Sequence, residues 1–65
     1  MKGLIGKKVR ITIVKSGEVR GVVEGVVEAA THSSLLIRTG KGYYVLLHLN
    51  TEDKIEVLEN GKFRR

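Results

Sequence analysis

Cysteine, proline and tryptophan are all absent from this chain of 65 residues, and aromatic residues make up only 5% of it. Without cysteine the chain forms no disulfide and no thiolate metal site, and its two histidines are too few for a zinc site. A domain this small buries only about 60% of the surface of its unfolded chain, so its hydrophobic core is marginal. We therefore expect barrel closure and self-association to stabilise the fold.

Long apolar segments are missing as well. No apolar run approaches the roughly 18–20 residues of a membrane-spanning helix, and residues 1–5 are too short for a signal peptide. We therefore expect a cytoplasmic protein that does not bind membranes. The lack of Cys, Gln and Pro, together with many Val, Ile, Lys and Glu residues, resembles the composition of proteins from thermophiles.

Acidic residues are in the minority. Seven Asp and Glu stand against 12 Lys and Arg, which gives a net charge of +5. A basic domain suits a polyanionic partner such as nucleic acid. The alternative is the Lys- and Glu-rich surface that many small stable proteins have without any such partner.

Alternation of apolar and polar residues predicts strands along most of the chain. In residues 8–15 the apolar Val9, Ile11 and Ile13 face one way and the polar residues between them face the other. Four further strands are predicted, and they are joined by hairpin turns, a polar loop and a short helical or 3₁₀ connector. The strands span residues 18–29, 35–39, 43–49 and 54–58, the turns residues 16–17 and 40–42, the loop residues 31–34 and the connector residues 50–53.

The second predicted strand, SGEVRGVVEGVVEAA with its preceding turn, is far longer than the usual five or six residues. Gly21 and Gly25 interrupt it, and glycine within a strand marks a bend, a bulge or a close backbone approach. A long strand bent at fixed points suits a small barrel. We therefore predict an all-β fold, a small five-stranded, strongly bent SH3-like barrel over residues 1–58, followed by a basic C-terminal tail over residues 59–65.

This order of elements resembles the Sm/Lsm family, in particular a divergent archaeal-type member. Residues 9–13 match the first strand of its first motif, residues 16–18 the turn, and Arg20-Gly21-Val22-Val23-Glu24-Gly25 the bent second strand. Residues 35–37 match the start of the third strand, and YYVLLHL and KIEVL match the fourth and fifth. The resemblance implies an SH3-like barrel that assembles into rings and binds RNA.

The chain departs from the family at the positions that recognise bases. Val27 stands where the family usually has Asp, and Ser34 stands where it usually has Asn. The Arg-Gly of the second motif is replaced by residues 50–53, NTED. The resemblance therefore implies the scaffold, and no preference for uridine follows residue by residue.

In rings of this family, the loops after the second and fourth strands face the pore. The first of these loops contains His32, Ser33 and Ser34, and Asn50 opens the second. A histidine flanked by serines is able to stack on a base and to hydrogen-bond to its edge. The alternative is a solvated loop of turn-forming residues. We expect no metal and no cofactor, because His32 and His48 have no further candidate ligands.

Cations on three strands form a second candidate nucleic-acid surface. Arg10, Lys15, Arg20 and Arg38 occupy outward positions, where they would form a phosphate-binding stripe or pair with glutamates across the strands. The densest basic cluster lies in the tail, which is a candidate arm for nucleic acid or simply a solubilising terminus. Its cations are Lys62, Arg64 and Arg65, with Phe63 among them as a stacking candidate.

The fourth strand is the candidate oligomer interface. One of Tyr43 and Tyr44 should point inward and the other outward, and an outward Tyr44 beside Leu46 leaves an apolar edge that favours pairing. His48 belongs to the same strand, and Leu58 lies on the fifth strand, which pairs with the fourth strand of a neighbour in Sm-like rings.

Together these features predict a non-catalytic nucleic-acid-binding protein that prefers RNA to DNA and acts as a cyclic homo-oligomer. No nucleophile–base pair, phosphate loop or small-molecule site is evident in the sequence. Two alternatives remain open: an SH3-like module that binds a protein, and an architectural protein that binds duplex DNA.

Overall fold

A computed structural model describes residues 2–59 of the chain. The fold is all-β, and its five strands form one sheet. A short 3₁₀ helix precedes five strands, and each strand is antiparallel to its neighbours in the sheet. The helix spans Lys2–Leu4, and the strands are β1 Lys8–Lys15, β2 Glu18–Ala30, β3 Ser34–Arg38, β4 Tyr44–His48 and β5 Lys54–Glu59. No helix in this described part is long and apolar enough to cross a membrane.

The sheet order is β4-β3-β2-β1-β5, so the long β2 lies at its centre. The first part of β2 pairs with β1 and its last part pairs with β3, and Val26 pairs with both Lys8 of β1 and Arg38 of β3. Irregular pairing interrupts β2 at Arg20 and at Glu28, where one extra residue bulges from the ladder. Such bulges increase the local twist and bend the strand, which curls the sheet into a barrel.

Only one of the two glycines within β2 is needed for close packing. A Cβ on Gly25 would overlap the carbonyl oxygen of Arg38 and lie 2.6 Å from Cγ2 of Ile37, whereas a Cβ on Gly21 would meet nothing within 4 Å. Gly21 instead pairs with Ile13 beside the first bulge. Gly25 is therefore the glycine that allows the close backbone approach, whereas Gly21 lies beside the bulge and has room for a side chain.

The core lies inside the curled sheet and is built by inward positions of the first three strands. Its fully buried members alternate with outward residues, as β-strand geometry requires. They are Val9, Ile11, Val27, Leu35 and Ile37. Seven partly buried residues pack around them: Leu4, Ile13, Val23, Ala30, Leu47, Leu49 and Ile55.

The β4–β5 turn closes one end of the barrel by bonding to the β1–β2 hairpin. The Asp53 carboxylate accepts a hydrogen bond from the Val14 amide at 2.9 Å. The Glu52 carboxylate accepts two more, from the amides of Ser16 at 3.1 Å and Gly17 at 2.8 Å. Three backbone donors of the hairpin are thus satisfied by two side chains of a turn that is distant in sequence.

The predicted strands agree with the structure to within one residue at each end, but the prediction for Tyr43 was wrong. Its side chain was expected inside or outside in alternation with Tyr44, yet both are exposed, by 63% and 60%. Tyr43 precedes β4 and closes the β3–β4 turn, where the Thr39 amide donates to its carbonyl at 2.9 Å. Gly42 before it has a φ of +92°, so strand alternation does not extend to Tyr43.

Candidate nucleic-acid interface

The loop between β2 and β3 is a compact polar turn. The Oγ1 atom of Thr31 accepts hydrogen bonds from the amides of Ser33 at 3.3 Å and Ser34 at 3.0 Å. The Thr31 amide in turn donates to the Ser34 carbonyl at 2.9 Å. His32 and Ser33 are exposed at its tip, so their side chains are accessible to a ligand.

The end of β4 lies against this loop. The Leu49 amide donates to the Ser33 carbonyl at 2.9 Å, and Ser34 pairs directly with His48 in the β3–β4 ladder. Their side chains also bond, with Oγ of Ser34 2.9 Å from Nδ1 of His48. The structure therefore brings together four of the residues predicted to bind nucleic acid or a neighbouring subunit: His32, Ser33, Ser34 and His48.

The Ser34–His48 hydrogen bond was not predicted from sequence, because it depends on the register between two strands. A serine hydrogen-bonded to a histidine supplies two of the three members of a nucleophilic triad. Within the described residues, no acidic side chain accepts a hydrogen bond from His48. The pair fixes the orientation of the imidazole on the outer face of the sheet.

Asn50 has a structural role in the described fold. Its Nδ2 donates to the Val14 carbonyl at 3.3 Å, and its Oδ1 accepts from the Glu52 amide at 2.7 Å. The Asn50 amide donates to Oδ2 of Asp53 at 3.0 Å. The hydrogen bonds that Asp53 accepts from the backbone of Asn50 and Val14 lower the pKa of its carboxyl group. Both sides of the Asn50 amide group are thus engaged within the fold.

Three of the four predicted strand cations are paired with glutamates. Arg10 bonds to Glu24 at 2.8 Å and to Glu56 at 3.2 Å, Arg38 bonds to Glu28 at 2.7 Å, and Arg20 lies 3.7 Å from Glu18. The hydrogen bonds that Arg10 donates to Glu24 and Arg38 donates to Glu28 raise the pKa values of the two arginines. These pairs balance charge on the outer face locally. Lys15 makes no ion pair among the side chains described.

Sequence reasoning missed Lys41 and Tyr43 as candidate binding residues. Both are exposed in or beside the β3–β4 turn, and Tyr44 follows directly in β4. Gly40-Lys41-Gly42 had been interpreted as a hairpin turn, and it is one, with the Gly42 amide donating to the Thr39 carbonyl at 3.0 Å. The missed signal is the combination of a lysine at the turn with two adjacent tyrosines after it.

The outer face of β4 is apolar beside its unpaired edge. Leu46 is 60% exposed, as is Tyr44, and β4 contains no Lys, Arg, Asp or Glu. A shallow depression next to Leu46 is lined by Ala29, Ala30, Thr31, Ser34 and Leu36. The candidate interface residue Leu58 is half-buried on β5, and Val57 beside it is 43% exposed.

The predicted basic cluster Lys62, Arg64 and Arg65 lies outside the described residues. Among the residues that are described, no group of three or more His, Asp or Glu side chains is arranged to hold a metal ion. The described candidates therefore reduce to the loop site around His32 and the exposed surface of the β3–β4 turn and β4. Comparisons of the chain with protein-family models, with curated proteins and with solved structures find no match.

Proposed function

We propose that this chain is a non-catalytic, Sm-like nucleic-acid-binding protein that acts as a cyclic homo-oligomer and prefers RNA to DNA. The observation that carries the proposal is the meeting of the β2–β3 loop with the end of β4, through the Leu49 amide and the Ser34–His48 pair. It gathers an exposed histidine and exposed hydroxyls at one place. These groups suit an unstacked base, which offers both a ring face and hydrogen-bonding edges.

Self-association is supported by the two edges of the sheet. β4 and β5 each pair with one neighbour only, and the β4 edge has no charged residue to prevent pairing with another chain. The β4 edge of one subunit would pair with the different β5 edge of the next, which is a head-to-tail contact. Such contacts generate a ring when the rotation between successive subunits closes. A ring repeats the loop site once per subunit, which raises the avidity for a polynucleotide without new contacts.

Binding is tested with labelled oligouridine, oligoadenine and duplex DNA at low salt, with light scattering for the mass of the protein. We expect an oligomer that binds the single strands and loses affinity steeply as salt rises. His32→Ala should weaken binding by about 1–3 kcal/mol if the ring stacks on a base. Thr12→Ala, on the outer face of β1 away from the loop, is the matched control. The proposal is refuted if the protein is a monomer or if it binds none of the three probes.

A second candidate function is an SH3-like module that binds a protein. The observation in its favour is that Arg10, Arg20 and Arg38 all have glutamate partners, so the outer face has little unbalanced charge there. The exposed Tyr44 and Leu46 would then form the contact surface. A partner retained from nuclease-treated native extract, and lost with Leu46→Glu, would support this function over nucleic-acid binding.

A further inference from the structure

A row of outward side chains crosses four strands near the end of the barrel opposite the His32 loop. Lys8 of β1 pairs with Val26 of β2, Val26 pairs with Arg38 of β3, and Arg38 pairs with Tyr44 of β4. Directly paired residues project from the same face of a sheet. Neighbouring strands lie about 4.8 Å apart, so the row spans about 14 Å along the curved surface.

The β3–β4 turn, which joins the two strands at this end of the row, contains the exposed residues Lys41 and Tyr43. Both tyrosines are more than half exposed, and neither hydroxyl has a hydrogen-bond partner among the described residues. Tyrosine side chains that lie mostly in water offer their ring faces for stacking with bases. We name the surface formed by Lys8, Arg38, Lys41, Tyr43 and Tyr44 the tyrosine surface.

The tyrosine surface contains three cations, of which Arg38 is paired with Glu28. Lys8 and Lys41 make no ion pair with any described side chain. Arg38 bonds to Glu28 through Nε alone, so its Nη atoms have no protein partner among the described residues. These Nη donors and the two ammonium groups are available to phosphate oxygens.

We propose that the tyrosine surface is a second binding surface for single-stranded nucleic acid, on which a base stacks on Tyr43, which precedes the β4 edge that pairs in the proposed ring, while Lys8, Arg38 and Lys41 contact phosphates. Alternation of aromatic rings and cations is the arrangement that binds single strands without sequence preference. In a duplex the base faces are stacked on one another, so a duplex contacts only the cations of this surface through its phosphates. The surface extends the proposed function, and it is separate from the His32 loop because β3 holds the two about 13 Å apart.

The tyrosines also supply the signal that tests this inference. The chain has two tyrosines and no tryptophan, so its tyrosine emission arises entirely from Tyr43 and Tyr44. Titration with unlabelled oligouridine or oligoadenine should quench that emission to saturation. Duplex DNA of the same length should quench it weakly. Anisotropy of labelled oligonucleotide measures total binding independently of which surface is used.

Variants then separate the two surfaces. Tyr43→Ala should weaken oligouridine binding by about 5- to 150-fold, whereas Tyr43→Phe keeps the ring and should bind like the parent chain. Lys41→Gln should lower the slope of log affinity against log salt by about 0.7. Lys54→Gln, on β5 away from this surface, is the control for net charge.

Each result has a definite meaning. Labelled oligonucleotide that binds with unchanged tyrosine emission, and with equal affinity in Tyr43→Ala, overturns the inference while the proposed function stands. Equal quenching by duplex and single strands overturns it as well, since stacking would then not be the cause. Quenching that survives His32→Ala and is lost with Tyr43→Ala supports it. A chain that binds no oligonucleotide refutes both proposals.

Discussion

The Cα of Gly25 packs against the carbonyl oxygen of Arg38, at the place where β2 passes from pairing with β1 to pairing with β3. A backbone carbonyl cannot rotate away as a long side chain would, and Cγ2 of the buried Ile37 lies on the same side. The bend that curls the sheet into a barrel therefore depends on the absence of a side chain at this one position.

Gly25→Ala should destabilise the fold by about 2–3 kcal/mol, because the added methyl group forces backbone shifts in β2 and β3. Gly21→Ala is the matched control, since its Cβ would meet nothing within 4 Å. It should be neutral or stabilise by up to about 1 kcal/mol, because alanine loses less backbone entropy in a strand. Urea unfolding of the two variants measures the difference, and equal midpoints would contradict the close approach.

The strand pattern was predictable because it rests on local alternation. The apolar Val9, Ile11 and Ile13 identify β1, and the length of β2 with its two glycines predicts one long bent strand, although not the positions of its bulges at Arg20 and Glu28. The pairing of Ser34 with His48, and of Arg10 with Glu24 and Glu56, depends on register between strands. Register is set by the whole sheet and by its bulges, so it is not encoded in any short segment.

The candidate site was predicted only in part for the same reason. The loop residues His32 and Ser33 lie at an exposed tip as expected, but the role of Asn50 in closing the barrel depends on the tertiary approach of Val14. Tyr43 was placed by strand alternation, whereas β4 begins one residue later than predicted, after the positive φ of Gly42.

Ile11 should be among the most sensitive positions of the core. It is fully buried and pairs with Val23 on one side and Ile55 on the other. Ile11→Ala should cost about 2–5 kcal/mol and Ile11→Val about 0.5–1.5 kcal/mol. Domains of this size have a total stability of about 3–10 kcal/mol, so the alanine variant should lose a large part of its free energy of unfolding. Thermal unfolding followed by circular dichroism checks the order of stability of the parent chain and the two variants. An Ile11→Ala variant as stable as Ile11→Val would contradict the core described.

Acid should weaken the closure of the barrel through Asp53. The pKa of this carboxyl group is lowered in the folded state by hydrogen bonds from the Asn50 and Val14 amides. Its contribution to stability is therefore complete above the pKa of the unfolded chain, about 3.9, and is lost as the pH falls through the lower folded value. Asp53→Asn should flatten this part of the stability–pH curve, with Glu56→Gln as an exposed control. An unchanged curve in Asp53→Asn would exclude Asp53 as the titrating group.

Leu46 should control self-association without affecting the fold. It is 60% exposed beside the unpaired edge of β4, so a charge there costs the isolated subunit little but would be buried when another chain pairs with that edge. We expect Leu46→Glu to have the mass of a monomer by light scattering and a native circular dichroism spectrum. Val19→Glu is the matched control, because Val19 is 64% exposed on the β1–β2 hairpin, away from that edge. A Leu46→Glu variant that retains the parent mass would show that β4 does not form the contact between subunits. If both variants dissociate, the added negative charge alone is responsible, and the result does not support the β4 edge as the contact between subunits.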